Sequence, residues 1–234
     1  MFNVAIGTPI VGDPKMIYVK SMMELILWFC QNRIFLDDPN QGIRMLQPRD
    51  SCVLSANREK MTNDFLKTDC THLLWVDGDM GFEPQVLSIL ARRKVPYVGC
   101  NYSMKNKQRR EFTAGSLDGK RVYTGKDSTG VIPVNFTGFG FALIERELIE
   151  KVEKPRYPIG YSLEVDDYTT EDYPFCEKAR QAGYTILIDH DASKLVWHVG
   201  NYTYRYDEVP DSDIPSAAQS EPRADSACEV INVK

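Results

Sequence analysis

Apolar segments with the length and composition of strands alternate with helical patterns along most of this chain. The first elements predicted are a buried strand that runs into a Gly-Thr-Pro turn within 2–12 and a helix capped by Asp13 that runs to about Phe35. A strand within 43–54, a helix capped by Ser55 or Asn57 that ends near Lys67, and a strand at 73–76 follow. Alternating strands and helices favour a parallel sheet, because each crossover places a helix on a face of the sheet. The sequence therefore predicts an α/β fold with a mostly parallel sheet covered by helices on both faces.

The alternation continues through residue 189. The later elements predicted are helices at 83–93, 145–153 and 173–182 and strands at 95–100, 134–144 and 184–189. Gly183 is expected to end the last of these helices. Between 101 and 130 the chain is polar and aperiodic, and a connection of that length inside a compact domain is usually functional or mobile.

Composition changes at Asp207. Residues 207–234 are rich in Pro, Ser, Ala and acidic residues and have no periodicity, which predicts a flexible acidic tail after one domain at 1–206. Seven acidic and two basic residues in the tail account for the whole formal net charge of -5. Within the domain, residues 92–126 carry ten Lys or Arg and two acidic residues, and this surplus of eight positive charges predicts contact with an anionic partner.

Two carboxylates separated by one glycine follow the third predicted strand, in the segment LLWVDGDMGF. Alternate side chains of a strand share a face, so Asp77 and Asp79 are expected to point the same way, with little bulk at Gly78 between them. Parallel sheets bind ligands beyond the carboxyl ends of their strands, and Mg²⁺ or Mn²⁺ is commonly held by one or two carboxylates together with substrate phosphates. A solvated acidic turn is the alternative, and the motif alone does not decide between the two.

A second acidic pair and a late histidine are further candidates. Glu171 and Asp172 precede Pro174, which places them at the start of the helix predicted at 173–182. They are either partners of the helix dipole or a general base for a nucleophile. His198, in the apolar segment LVWHVG, is either a core histidine with one hydrogen bond or a ligand that would suit Mn²⁺ beside Asp79.

Four segments together resemble GT-A-fold glycosyltransferases, in particular small phage and bacterial members similar to family 2: LLWVDGDM, VNFTGFGFALI, TEDYPFCEKARQAGYTILID and LVWHVG. The resemblance covers about residues 2–200 and rests on the order and spacing of the four segments. It implies a Rossmann-like, mostly parallel mixed sheet and transfer of a sugar from a nucleotide-diphosphate sugar to an acceptor hydroxyl. The membrane helices of processive synthases are missing from the sequence, so we expect one or a few transfers per acceptor.

The resemblance also implies roles for single residues. Metal ligands for Mn²⁺ or Mg²⁺ would be Asp77, Asp79 and His198, and the base for the acceptor hydroxyl would be Asp172 or Glu171. Residues that would bind the nucleotide sugar are Gly7, Thr8, Pro9, Arg58, Asp77, Gly138, Phe139 and Gly140. Among them, the two later glycines would permit close backbone approach and Phe139 would offer an apolar platform to a sugar ring, although a bulged strand is the alternative explanation of these glycines.

The expected surroundings follow from composition. The longest apolar runs, such as 25–30, are far shorter than the roughly 20 residues of a membrane helix, and no signal-peptide pattern opens the chain. Six widely spaced cysteines without a C-x-x-C pair argue against a disulfide framework or a zinc ribbon. We therefore expect no membrane span and a cytoplasmic location, which is the host cytoplasm if a phage encodes the protein.

Other functions remain open at this point. A sugar nucleotidyltransferase would carry a G-x-G-T-R loop after the first strand, of which only Gly7-Thr8 is present. A non-catalytic sugar-nucleotide-binding module is disfavoured by the retention of both acidic pairs together with His198. The acceptor is a glycan, a small molecule or phage DNA with hydroxymethyl-pyrimidines, whose phosphates would meet Lys105, Lys107, Arg109 and Arg110 of the basic segment 92–126.

Overall fold

The computed structural model of this chain describes residues 2–10, 12–32, 34, 40–47, 49–50, 52–105, 111–162, 166–200 and 203–205. The tail predicted at 207–234 lies outside these residues. Strands and helices follow one another in the order β1 (Asn3–Gly7), β2 (Pro9–Ile10), α1 (Met16–Gln31), β3 (Gly42–Met45), β4 (Arg49–Asp50), α2 (Leu54–Leu66), β5 (His72–Val76), β6 (Met80–Phe82), α3 (Val86–Arg92), β7 (Tyr97–Gly99), β8 (Val131–Val134), β9 (Phe141–Glu145), α4 (Arg146–Lys151), β10 (Gly160–Ser162), β11 (Asp167–Thr169), α5 (Asp172–Gln181), β12 (Ile186–Asp189), α6 (His190–Ser193), β13 (Val196–Val199) and β14 (Thr203–Tyr204).

A seven-stranded sheet forms the centre of the molecule, in the order β3-β1-β5-β9-β7-β12-β8. Five of its strands run parallel to one another, and β9 and β8 run antiparallel to their neighbours. The predicted α/β fold with a mostly parallel, mixed sheet is confirmed.

Helices cover both faces of this sheet, and the alternation of side chains along each strand explains how. In β5, Leu74 and Val76 belong to an apolar cluster with α1 and α3, whereas Leu73 and Trp75 belong to a second cluster with α2, α4 and α5. Strand β1 divides in the same way. Strands buried on both faces need an almost continuous apolar sequence, which is what β1 and β5 have.

A smaller sheet, β14-β13-β6, continues from the end of β5. Strand β6 pairs antiparallel with β13, so that Met80 lies opposite His198 and Gly81 opposite Trp197. A Cβ on Gly81 would lie 2.1 Å from the indole of Trp197, so only glycine leaves room for that ring. This pairing brings the late LVWHVG segment next to the turn that follows β5.

Several element boundaries differ from the sequence predictions. Helix α1 begins at Met16 after the N-cap Lys15 rather than at Asp13. It ends at Gln31 because Asn32 has an extended backbone, with φ -127° and ψ 144°, although its N–H still donates to the Trp28 carbonyl. Helix α2 has the N-cap Val53, so neither predicted cap was right. The predicted strand at 134–144 is two strands in different positions of the sheet, since β8 ends at Val134 and β9 begins at Phe141. Gly183 follows α5 with a φ of 90°, as predicted for a helix end.

No helix within the described ranges combines the length and the apolar character that crossing a membrane requires.

Candidate functional site

The Asp77–Gly78–Asp79 segment is a tight turn between β5 and β6 and not the end of a strand. Its main chain is fixed from three directions: Asp77 N–H donates to the Gly140 carbonyl at 3.1 Å, Lys15 N–H donates to the Gly78 carbonyl at 2.8 Å, and Val199 N–H donates to the Asp79 carbonyl at 2.8 Å. The expectation that both carboxylates share a strand face is therefore wrong. In a turn they contact different partners, although both line the same cavity.

Arg58 connects the two acidic pairs. Its guanidinium donates from Nη2 to Asp77 Oδ1 and from Nε to Glu171 Oε1, each at 2.8 Å. The group is 1% exposed and lies between the rings of Trp75 and Phe139, at 5.0 and 5.1 Å from their centroids. Burial acts to lower the pKa of Arg58, but the two carboxylates outweigh it and raise that pKa above its usual value. Arg58 is thus an internal counter-ion, and its burial excludes direct contact with a nucleotide in this conformation.

The glycines and the phenylalanine of the T-G-F-G segment have packing roles. A Cβ on Gly138 or Gly140 would lie 2.6 or 2.4 Å from the hydroxyl oxygen of Tyr102. That hydroxyl oxygen accepts the N–H of Gly140 at 2.8 Å. Phe139 is 1% exposed and packs on Phe175 and Tyr157, so it does not offer a face to a sugar as expected. These residues pack behind the D-G-D turn and do not line the cavity beside it.

Glu171 and Asp172 stand at the start of α5, as predicted, but their surroundings differ. Glu171 is buried and held by Arg58. Asp172 accepts hydrogen bonds from the Thr170 hydroxyl and from the main-chain N–H of Tyr173, and both go to Oδ1. Burial, followed by the negative charge of Glu171, raises the pKa of Asp172 to about 6, against the opposing effect of the Thr170 hydroxyl. A carboxylate with that pKa is mostly ionised at neutral pH and still accepts a proton readily.

Asp79 contacts two basic side chains. Nε2 of His198 lies 3.3 Å from Oδ1, and the ammonium of Lys105 contacts Oδ2. Burial acts to raise the pKa of Asp79, but His198 and Lys105 together bring it down to about 2. The edge of the Tyr102 ring packs on the His198 imidazole, with centroids 5.4 Å apart. Sequence reasoning grouped Lys105 with the basic residues that would meet an anionic partner and missed Tyr102, since neither residue carries a motif.

The end of β1 borders the site. A Cβ on Gly7 would lie 2.5 Å from the Trp75 ring, so this glycine makes room for the indole. Thr8 is buried and shares a hydrogen bond of 2.6 Å with the Tyr18 hydroxyl. Pro9 lines a cavity of about 310 Å³ that also includes the segment before α1, Leu54 at the start of α2, and the turn at 77–79. Of the three residues predicted at this strand end, only Pro9 faces that cavity.

The side chains around Asp79 fit a divalent cation. Asp79 Oδ1 and His198 Nδ1 are buried atoms without a hydrogen-bond partner, and Oδ1 lies 3.3 Å from Nε2 of the same imidazole. A carboxylate and an imidazole are ligands that Mn²⁺ accepts, and a cation of this kind often takes its remaining ligands from water and substrate phosphates. Across the described residues, no three His, Cys, Asp or Glu side chains converge on one point. Asp77, predicted as a third ligand, is turned towards Arg58.

In the described part of the basic segment 92–126, several charges pair with acidic side chains of the chain itself. Arg93 pairs with Asp189 and Asp191, and Arg121 lies 3.8 Å from Glu111. Lys107, Arg109 and Arg110, which were expected to meet DNA phosphates, lie outside the described residues. The described part of the segment therefore uses much of its charge internally.

Comparisons with known proteins bear on the fold. No family model matches the sequence, and no curated protein matches it. The crystal structure of A197 from STIV is similar, with a TM-score of 0.52 and 17% identity over 86% of this chain and 86% of that chain. Matches extend to 297 chains of solved structures, so the architecture is common and does not by itself specify an activity.

Proposed function

We propose that this protein is a metal-dependent glycosyltransferase of the GT-A type, which moves a sugar from a nucleotide-diphosphate sugar to an acceptor hydroxyl. The observation that carries the proposal is the Arg58 clamp. In this clamp, Arg58 binds Asp77 of the D-G-D turn and also Glu171 of the E-D pair, which lies 94 residues after Asp77. The clamp lies beside a cavity at the ends of the parallel strands. Such an edge is where α/β sheets bind their ligands.

The charge balance of the site supports a divalent cation. Four carboxylates, those of Asp77, Asp79, Glu171 and Asp172, stand against the two cations Arg58 and Lys105. With Asp172 ionised, the four carboxylates exceed these two cations by two negative charges. A diphosphate would be repelled from such a site, and one Mn²⁺ or Mg²⁺ would cancel the excess.

The chain's own residues then have distinct tasks. Asp79 and His198 would hold the cation, which would supply Lewis-acid stabilisation of the charge on the departing diphosphate. Asp172 receives the proton of the acceptor hydroxyl while the acceptor oxygen bonds to the anomeric carbon and the bond from that carbon to the diphosphate oxygen breaks. Arg58 holds Glu171 in place, and the charge of Glu171 raises the pKa of Asp172.

A thermal-shift panel of UDP-, GDP- and dTDP-sugars tests this proposal, with MnCl₂ and with EDTA. One nucleotide is expected to raise the melting temperature by about 5 °C or more at saturation, because ligand binding stabilises the folded state. The shift should vanish in EDTA and in Asp79→Asn. Asp118→Asn is the control, since Asp118 lies in an exposed turn and pairs with Lys120.

Two results would contradict the proposal. One is the lack of any shift with every sugar nucleotide in the presence of Mn²⁺. The other is an undiminished shift in EDTA. Release of free sugar from the stabilising donor, measured in the same samples, then separates a transferase from a module that only binds.

A further inference from the structure

Lys105 reaches the candidate site from the basic segment 92–126, which was expected to contact an anionic partner. It follows β7 by a few residues, and its ammonium contacts Oδ2 of Asp79, the oxygen on the side away from His198. Lys105 and His198 thus flank one carboxylate. The ammonium occupies Oδ2, so a divalent cation bound between Oδ1 and His198 would lie on the other side of the same carboxylate.

A divalent cation and this ammonium weaken each other's binding. Two positive groups on one carboxylate repel at short range, and each reduces the negative charge that attracts the other. In the absence of a metal ion, however, the partly buried Asp79 needs a counter-ion, because an unpaired charge in such a place is unfavourable. The carboxylate of Asp79 is therefore paired either with Lys105 or with the divalent cation.

The displaced ammonium has a second partner available in the proposed reaction. The Lys105 side chain is 34% exposed, so its long, flexible stem has room to change rotamer without moving the main chain. A sugar nucleotide brings its diphosphate to the same cation, and a lysine ammonium is a common phosphate ligand. The positive charge that leaves Asp79 thus has an anion within reach.

We propose that Lys105 is a binding residue for the donor diphosphate that pairs with Asp79 in the ligand-free protein and yields this carboxylate to the divalent cation. The inference rests on the proposed function and adds that the binding of the cation and the binding of the diphosphate are coupled. The cation displaces Lys105 from Asp79, and the diphosphate then binds the freed ammonium. By linkage, each ligand raises the affinity for the other by the same factor.

Lys105→Met tests the proposal, because methionine keeps an unbranched stem and removes the charge. Calorimetry with MnCl₂ alone should show Mn²⁺ binding several-fold more tightly to the variant than to the wild type, since the competing ammonium is gone. With Mn²⁺ saturating, the dissociation constant of methylenediphosphonate should rise about tenfold, as for the loss of one charged hydrogen bond. One substitution is thus expected to change the two affinities in opposite directions.

Two further variants serve as controls. Lys120→Met makes the same change of charge in the same segment, but Lys120 pairs with the exposed Asp118, so both affinities should stay as in the wild type. Lys105→Arg retains the charge and should keep the methylenediphosphonate affinity within about threefold of the wild type.

The outcomes separate this inference from the function on which it rests. If the wild type binds Mn²⁺ and methylenediphosphonate but Lys105→Met binds Mn²⁺ no more tightly, or loses no affinity for the diphosphonate, Lys105 does not have this role and the proposed function stands. If the wild type binds neither probe, both proposals fail.

Discussion

At the scale of single residues, the most informative group is the carboxylate of Asp172. Burial and the neighbouring Glu171 raise its pKa to about 6, so the folded protein retains this proton to a higher pH than the unfolded chain does. The stability that results is fully present below the unfolded-state pKa and is lost as the pH rises through about 6. A group kept ionised at a cost to stability is typical of sites where the charge has a use.

Replacement of this carboxylate gives a prediction with two readouts. Asp172→Asn should lower kcat by about 10²- to 10⁴-fold with donor affinity retained, because the proton acceptor is lost. It should also raise the melting temperature at pH 7.5, and this gain should disappear near pH 4, where the wild-type carboxyl is protonated. Transfer assays and thermal melts at several pH values measure both.

The control for that prediction is Glu177→Gln, which removes a carboxylate from the same helix without touching the Arg58 clamp. It should leave kcat unchanged. Wild-type activity in Asp172→Asn would show that another group acts as the base. A lower melting temperature for Asp172→Asn at pH 7.5 would contradict the inference that ionised Asp172 lowers the stability of the wild type.

At the scale of elements, the packing of the turn before β9 depends on Gly140. Its Cα faces the Tyr102 ring, which is fixed in place by the hydrogen bond from the Gly140 N–H. At Gly78, by contrast, an added Cβ would find its nearest atom, on Pro14, at 3.6 Å, an ordinary contact. There is therefore room for a Cβ at Gly78 but not at Gly140, although both glycines lie at the same site.

Alanine at each position tests this difference. Gly140→Ala should lower the free energy of unfolding by about 1–3 kcal/mol through overpacking. Gly78→Ala should change it by about 0.5 kcal/mol or less, as for a substitution without a clash. Urea denaturation of both variants gives the comparison, and equal losses would show that contact with Tyr102 is not what requires glycine at 140.

The order of elements was predictable from sequence, whereas their partners were not. Strands β1 and β5 are apolar on both faces, and that pattern is local. The glycines of T-G-F-G were assigned to ligand approach because Tyr102, which explains them, is 38 residues before Gly140. The Arg58–Glu171 pair spans 113 residues, and no local pattern reports such a contact. For the same reason the D-G-D and E-D motifs were identified while the clamp between them was missed.

At the scale of the whole molecule, charge divides the chain at residue 207. Residues 1–206 carry equal numbers of acidic and basic residues, so the tail holds all of the net charge. The tail's composition offers little apolar surface to bury. Its contribution to the stability of the domain should therefore be small.

Truncation tests this division. A chain that ends at residue 206 should melt within about 1 °C of the full chain, because the composition of 207–234 offers little apolar surface to bury. A chain that ends at residue 194 should melt at a much lower temperature, since it lacks β13 and with it the partner of β6. Thermal melts of the three chains decide the matter, and a large loss on removal of 207–234 alone would mean that the tail packs on the domain.

The position of β9 also matters for a chain that is still being synthesised. Strands β5 and β7 are neighbours of β9 and not of each other, so the sheet remains in two parts until residues 141–145 have been made. Up to that point both β5 and β7 have an unpaired edge, and such edges are where strands of other chains attach. The antiparallel strand β9, which joins these two parts, thus sets the length of nascent chain over which the edge of β5 is open to aggregation.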